Sequence, residues 1–179
     1  MHKKIVTLPD PTLRKQAEIV TQNEFGSKKL LEIIKTMSDA LRATDDGIGI
    51  AAPQIGISKR IFLASEEALA IYEERPETSE SLKKTQKKKW QYYVFINPEI
   101  LKLAVKKESA SEGCLSVPGK YGLVPRAAKI KVRAYDEYGK RFERGATKLF
   151  ARLFQHEIDH LEGVLFIDKA TKLITIKKK

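Results

Sequence analysis

Residues 147–162, TKLFARLFQHEIDHLE, decide the fold of this chain. The segment has the length and the apolar periodicity of one buried helix, and Gly163 directly after it is typical of a helix C-terminus. One face of this helix carries four residues that are spaced four, three and four positions apart: Leu149, Leu153, His156 and His160. The apolar face of the helix therefore leads directly into a pair of histidines.

The histidine pair has the spacing of a metal site. Side chains four residues apart on a helix lie nearly one above the other, so the rings of His156 and His160 can converge on one cation. Glu157 is turned by about 100° from His156 and flanks the cation instead of ligating it. These residues predict a metal-dependent hydrolase in which Glu157 is the general acid and base. Two core histidines with ordinary hydrogen-bond partners are the simpler alternative.

The composition predicts an intracellular, cytoplasmic protein. The 179 residues suffice for one core, and we expect a single catalytic domain over residues 1–179. One cysteine rules out an internal disulfide, no apolar run is long enough to span a bilayer, and the basic start is too short for a signal peptide. The net charge of +11, with lysine clusters at 83–89 and 169–179, indicates an acidic partner such as the ribosome, or simply a soluble basic surface.

The remaining segments indicate mixed α and β structure. Asp10 before Pro11 predicts a short capped helix, and Ser27 caps a longer helix that ends by residues 45–47. Alternating or β-branched runs predict strands at 59–64, 92–96, 100–105, 130–134, 140–144, 164–167 and 173–176. Residues 66–91, acidic and then lysine-rich, look like an inserted excursion. We predict an α+β fold with antiparallel sheets packed around a central helix that carries HEIDH.

The two histidines are one ligand too few, because hydrolytic metal sites usually have three protein ligands. Cys114 is the only cysteine, but a lone cysteine is more often inert and buried, and the residues alone do not place it beside the helix. A third segment, GIGIAAPQ at 47–54, lacks the remaining signatures of a phosphate-binding loop. Its Gln54 has an amide donor suited to an oxyanion, although a solvent-facing loop glutamine is the default interpretation.

Three motifs together resemble those of the peptide deformylase family. They are GIGIAAPQ at 47–54, EGCLS at 112–116 and QHEIDH at 155–160, intact and in the family's order. The similarity extends to PDPTLR at 9–14, LVPR at 123–126 and GVLFID at 163–168. It spans nearly the whole chain except the excursion at 66–91 and the last residues.

The resemblance implies a role for each residue. Cys114, His156 and His160 would be the metal ligands, with Fe²⁺ as the usual ion and Zn²⁺, Ni²⁺ or Co²⁺ as substitutes. Glu157 would act as base and then acid, while Gln54 and the backbone N–H of Leu115 would hold the formyl oxygen. The substrate would be the formyl-methionine end of a nascent polypeptide and the products formate and a free amino terminus. Ribosome contact is an option, with no membrane or DNA partner.

Two departures and two alternatives accompany this interpretation. The excursion at 66–91 is an insertion relative to shorter bacterial forms, and Arg152 stands where an apolar residue near the methionine pocket is expected. A zincin-type protease would need a third ligand downstream of the helix, for which Glu162 and Asp168 are the poorly placed candidates. A metal-bearing module that binds the ribosome through its charge is the other alternative.

Overall fold

The architecture consists of two antiparallel sheets and two long helices, one on each face of the larger sheet. The computed structural model describes residues 4–44, 46–66 and 91–176. The helices are α1 (Lys28–Arg42), α2 (Lys148–Leu161) and α3 (Phe166–Lys169), with 3-10 turns at Pro11–Arg14, Gln22–Glu24 and Ala52–Ile55. The strands are β1 (Gly49–Ala51), β2 (Ile61–Ser65), β3 (Tyr92–Leu103), β4 (Lys107–Gly113), β5 (Lys120–Ala127), β6 (Lys129–Tyr135), β7 (Arg141–Thr147) and β8 (Lys172–Thr175). The sheets run β1-β2-β3-β6-β7 and β4-β5-β8, which confirms the predicted α+β class.

The central helix α2 packs on one face of the five-stranded sheet. Because successive residues of a strand point to opposite faces, Phe62 and Phe95 lie together on the face that α2 covers. Their rings stack at 4.5 Å, and the ring of Phe154 from α2 meets Phe95 edge-on at 4.7 Å. Thr147 precedes the helix and Gly163 follows it with φ +72°, so the predicted helix 147–162 is confirmed to within one residue at each end.

The other face of the same sheet is covered by α1. Ser27 caps this helix by accepting a hydrogen bond from the Leu30 backbone N–H at 3.2 Å, as its position predicted. The buried face of α1 packs on the alternate residues of β2 and β3, which are Ile61, Leu63, Val94 and Ile96. β2 is thus buried on both faces, and its apolar sequence IFLAS follows from that position.

The structure corrects two predictions. β3 runs without interruption from Tyr92 to Leu103, whereas Asn97-Pro98 was expected to separate two strands. A bulge accommodates the pair, and the Asn97 side chain bonds both the N–H and the C=O of Val20, at 2.9 and 2.8 Å. Residues 164–167 do not form a strand, because the Asp168 carboxylate accepts from the Leu165 N–H and caps the short helix α3.

Three strands were not predicted, and one prediction lies outside the described residues. β4 is mostly polar and β5 contains a glycine and a proline, so neither shows a clear alternation, while β1 has only three residues. The excursion at 66–91 is described only at its ends, where the Glu66 N–H donates to the Gln91 carbonyl at 2.9 Å. It therefore joins two neighbouring strands, β2 and β3. Among the described helices, none has the length and apolar content to cross a membrane.

Gly163 provides a test of how α2 is anchored. A Cβ at this residue would lie 2.7 Å from the backbone carbonyl of Arg14, and φ is left-handed. We expect Gly163→Ala to lower the free energy of unfolding by at least about 1–2 kcal/mol, the cost of the left-handed conformation alone. The matched control is Gly145→Ala, where a Cβ meets nothing within 4 Å. Equal urea midpoints for the two variants would contradict this account.

Candidate metal centre

The three predicted ligands converge in space. His156 and His160 come from α2, and Cys114 comes from the turn that follows β4. One ligand atom from each residue lies within 4.8 Å of the other two, and Sγ of Cys114 is 3.2 Å from Nε2 of His160. Two imidazoles and a thiol form a donor set suited to a transition-metal ion. Cys114, whose position the residues alone left open, therefore belongs to the histidine site.

The carboxylate of Glu112 fixes the orientation of His156. Its Oε2 atom lies 3.1 Å from Nδ1 of His156, which leaves the Nε2 atom of that ring for the cation. The same carboxylate accepts from Nε and Nη2 of Arg126, at 3.0 and 2.9 Å, and from Nη1 of Arg152 at 2.7 Å. Glu112 was named only as part of a motif; its place directly before Gly113-Cys114 was the available signal.

The pKa values of the two histidines are shifted in opposite directions. Burial opposes the charged form of His156, but hydrogen bonds to Cys114 and Glu112 outweigh it and raise the pKa of this ring to about 10. Burial, with His156 and Arg126 as neighbouring charges, holds the pKa of His160 well below its usual range. His160 is therefore neutral near pH 7 and can bind a cation directly, whereas His156 has to release a proton to do so. The residues present fit a bound divalent cation.

Glu157 is buried beside the ligands and retains unused bonding capacity. Its Oε2 atom is buried and has no hydrogen-bond partner among the described residues. Burial raises the pKa of this carboxyl to about 7, so protonated and ionised forms are both accessible near neutrality. An unpartnered buried carboxylate oxygen is costly in a purely structural role. Its position therefore suits proton transfer to and from a bound molecule.

Gln54 is held rigidly against Cys114. Its side chain is 2% exposed, so the default interpretation of a solvent-facing loop glutamine was wrong. The Ala51 N–H donates to its Oε1 at 2.8 Å, which fixes the amide orientation. Its Nε2 points to Oγ of Ser116 at 3.3 Å and to Sγ of Cys114 at 3.6 Å. Ser116 is fully buried and was not singled out from the sequence; it follows Leu115, which lines the cavity beside the site.

A cavity of about 450 Å³ opens onto Cys114, His156 and Glu157. Its apolar wall includes the side chains of Leu115, Val117, Leu149 and Leu153. Arg152 also lines it, but its guanidinium donates to the carbonyl oxygens of Val124 and Glu108, at 2.8 and 2.7 Å, as well as to Glu112. Because these acceptors engage both terminal nitrogens of the guanidinium, an arginine is compatible with a position beside the apolar wall.

The candidates for a zincin-type third ligand lie elsewhere. Glu162 accepts from Arg60 at 2.6 Å and from Gln16 at 2.9 Å, and Asp168 pairs with Arg14. Neither carboxylate belongs to the group formed by Cys114 and the two histidines. The geometry therefore favours the cysteine-containing site over the protease alternative.

Comparisons with known proteins agree with this geometry. The family model of polypeptide deformylase matches residues 2–175. Similar proteins include the peptide deformylase of Pseudothermotoga lettingae, 40% identical with 100% of this chain and 90% of that protein covered. Another is the peptide deformylase of Desulforudis audaxviator, 38% identical with 98% and 97% covered.

Solved structures show the same similarity. The Acinetobacter baumannii class I type b peptide deformylase with Met-Ala-Ser bound has a TM-score of 0.75 at 32% identity, covering 92% of this chain and 96% of that one. The Plasmodium falciparum peptide deformylase in complex with an inhibitor has a TM-score of 0.73 at 35% identity, with 94% and 89% covered. By sequence along nearly its whole length and by fold, this chain belongs to the polypeptide deformylase family.

Proposed function

We propose that this chain is a metal-dependent hydrolase that removes the formyl group from the N-terminal formyl-methionine of new polypeptides and releases formate. The observation that carries the proposal is the Oε2 atom of Glu157, which lies beside the Cys114, His156 and His160 group and has no hydrogen-bond partner in the described part of the chain. The related Acinetobacter baumannii deformylase with Met-Ala-Ser bound supports a methionine-led peptide as the occupant of the cavity. The largely apolar cavity walls suit the methionine side chain.

Cys114, His156 and His160 would hold the cation, which we propose to be Fe²⁺, with Zn²⁺, Ni²⁺ or Co²⁺ as substitutes. A thiolate beside two imidazoles is a borderline-soft donor set that such ions accept. When bound, the cation supplies Lewis-acid polarisation and makes water acidic enough to react near neutral pH. Glu112 supports the ligand His156, and partners of this kind typically change metal affinity by about 10–100-fold.

Glu157 carries the proton through the reaction. It accepts a proton from the water that attacks the formyl carbon, and it returns a proton to the nitrogen as the C–N bond breaks. The products are formate and the free amino group of methionine. A carboxyl with a pKa of about 7 suits both halves of this cycle, since neither form is strongly favoured at neutral pH.

Gln54 and Leu115 stabilise the charge that develops on the formyl oxygen. The Gln54 amide is fixed by the Ala51 N–H and directs its Nε2 donor to the sulfur of Cys114. We assign the second donor to the backbone N–H of Leu115, the residue after Cys114. A preorganised donor of this kind typically lowers the barrier by about 3–4 kcal/mol.

Replacing Glu157 by glutamine tests the proton-transfer role. We expect Glu157→Gln to bind one metal ion per chain as before, because it leaves the three ligands intact, and to lower kcat by about 10²–10⁴-fold. Formate release from formyl-Met-Ala-Ser and metal content after anaerobic purification are the measurements. Glu143→Gln, on the exposed edge of β7, is the matched control. Full turnover in Glu157→Gln would exclude the mechanism.

Gly49 tests whether the position of the Glu157 carboxylate matters. A Cβ at Gly49 would lie 2.7 Å from Oε1 of Glu157 and 2.6 Å from Cδ1 of Leu153. Both atoms are ends of flexible side chains, so we expect Gly49→Ala to unfold near the wild-type urea concentration but to displace the carboxylate and lower kcat at least 10-fold. Gly145→Ala serves again as the control for adding a methyl group. Wild-type kcat in Gly49→Ala would contradict the assigned geometry.

We also propose that the enzyme acts in the cytoplasm and contacts the ribosome through its basic surface. The net charge of +11 supports this, and the described Lys172 lies on the exposed strand β8, whereas Lys169 is already paired with Asp159 at 2.6 Å. Residues 83–89 and 177–179 lie outside the described residues.

The ribosome proposal predicts a salt-dependent association. Replacing Lys172 and the three lysines at 177–179 by glutamine is expected to weaken co-sedimentation with ribosomes at low salt and to flatten its salt dependence. Formate release from a short peptide is the control for an intact enzyme. Unchanged ribosome affinity at low salt would show that Lys172 and residues 177–179 do not contribute to ribosome binding.

A further inference from the structure

The outward face of β5 and β8 carries four exposed apolar side chains. They are 38–56% exposed and consist of Tyr121, Leu123, Ile174 and Ile176. They share one face because Tyr121 pairs directly with Ile174, and Ile176 donates its N–H to Gly119. The alternate residues of β5, Val124 and Arg126, are buried on the inward face. We call this set the β5–β8 apolar face.

This face is continuous with the rim of the metal-site cavity. Tyr121 lines the cavity and also belongs to the β5–β8 apolar face. Its ring lies across Gly113, where a Cβ would approach the ring to 2.8 Å, and Gly113 directly precedes Cys114. A molecule that leaves the cavity over Tyr121 therefore meets the apolar face directly.

β4 presents small side chains beside the β5–β8 apolar face. On the outward side it presents Ser111 opposite Leu123 and Ser109 opposite Pro125. Because serines are small, the Leu123 side chain stays accessible from the β4 side. β4 also lies at the edge of the three-stranded sheet, where β5 is its one neighbour among the described strands. A shallow path thus runs along β4 from the metal site past Leu123.

We propose that the β5–β8 apolar face binds apolar residues of the substrate polypeptide downstream of its formylated methionine. The inference rests on the proposed function, which makes the substrate a long chain with only its first residues in the cavity. An extended chain advances roughly 3.3 Å per residue, so Ser111 and Leu123 lie about three residues along β4 from Cys114. Lys172 stands opposite Leu123 on the same face and disfavours basic residues there.

Three formylated peptides test the proposal. The first is formyl-Met-Ala-Ser. The other two are seven residues long: the last four residues of one are leucines and valines, and those of the other are serines and lysines. The wild-type enzyme is expected to show a kcat/KM at least 5-fold higher for the apolar than for the lysine-containing peptide, mainly through KM. Leu123→Ser combined with Ile174→Ser should abolish this difference and leave formyl-Met-Ala-Ser unaffected.

Val105→Ser is the matched control, since Val105 is 98% exposed between β3 and β4 and lies outside the face. Equal kcat/KM for both long peptides in the wild type, or a preference retained in the double variant, would overturn the proposal. A concentration-dependent dimer that the double variant dissociates, without any peptide preference, would assign the face to a second copy and overturn it as well. Failure of the wild type to hydrolyse formyl-Met-Ala-Ser would instead refute the proposed function itself.

Discussion

The site depends on the contacts that the buried carboxylate of Glu112 makes with neighbouring side chains. It accepts from two arginines, Arg126 of β5 and Arg152 of α2, and it contacts His156, one of the proposed ligands. Arg126 pairs in turn with Asp159 of the same helix. Removing one member of such a buried network leaves uncompensated charges, which is typically far more costly than losing a surface pair. The network therefore connects the three-stranded sheet to α2 and orients a ligand ring at the same time.

The site lies where the two sheets meet the central helix. The five-stranded sheet contributes Gly49 and, just beyond β1, Gln54. The three-stranded sheet contributes Cys114 from the end of β4. The helix α2 contributes both histidines and Glu157, and it is held by the aromatic packing of Phe62, Phe95 and Phe154. Rigid elements thus carry the side chains of the candidate site, and the cavity opens beside them.

Several parts of the fold followed from local sequence patterns, and others did not. The helix α2, the cap at Ser27 and the hairpin strands β6 and β7 were predictable because periodicity and capping act within a few residues. The strand β4 was missed because all of its residues are exposed except Glu112, which is charged. The short run at 164–167 was assigned wrongly because apolar runs of that length do not distinguish a strand from a helix turn.

The sequence by itself determined the histidine pair with its intervening glutamate, because helical spacing alone brings those side chains together. It also indicated the family through the order of three motifs. Only the tertiary structure decided that Cys114 joins the histidines, that Gln54 is buried against its sulfur, and that Arg152 is neutralised at the cavity wall. These contacts join residues 40 to 60 positions apart in the chain, and no local periodicity encodes such distances.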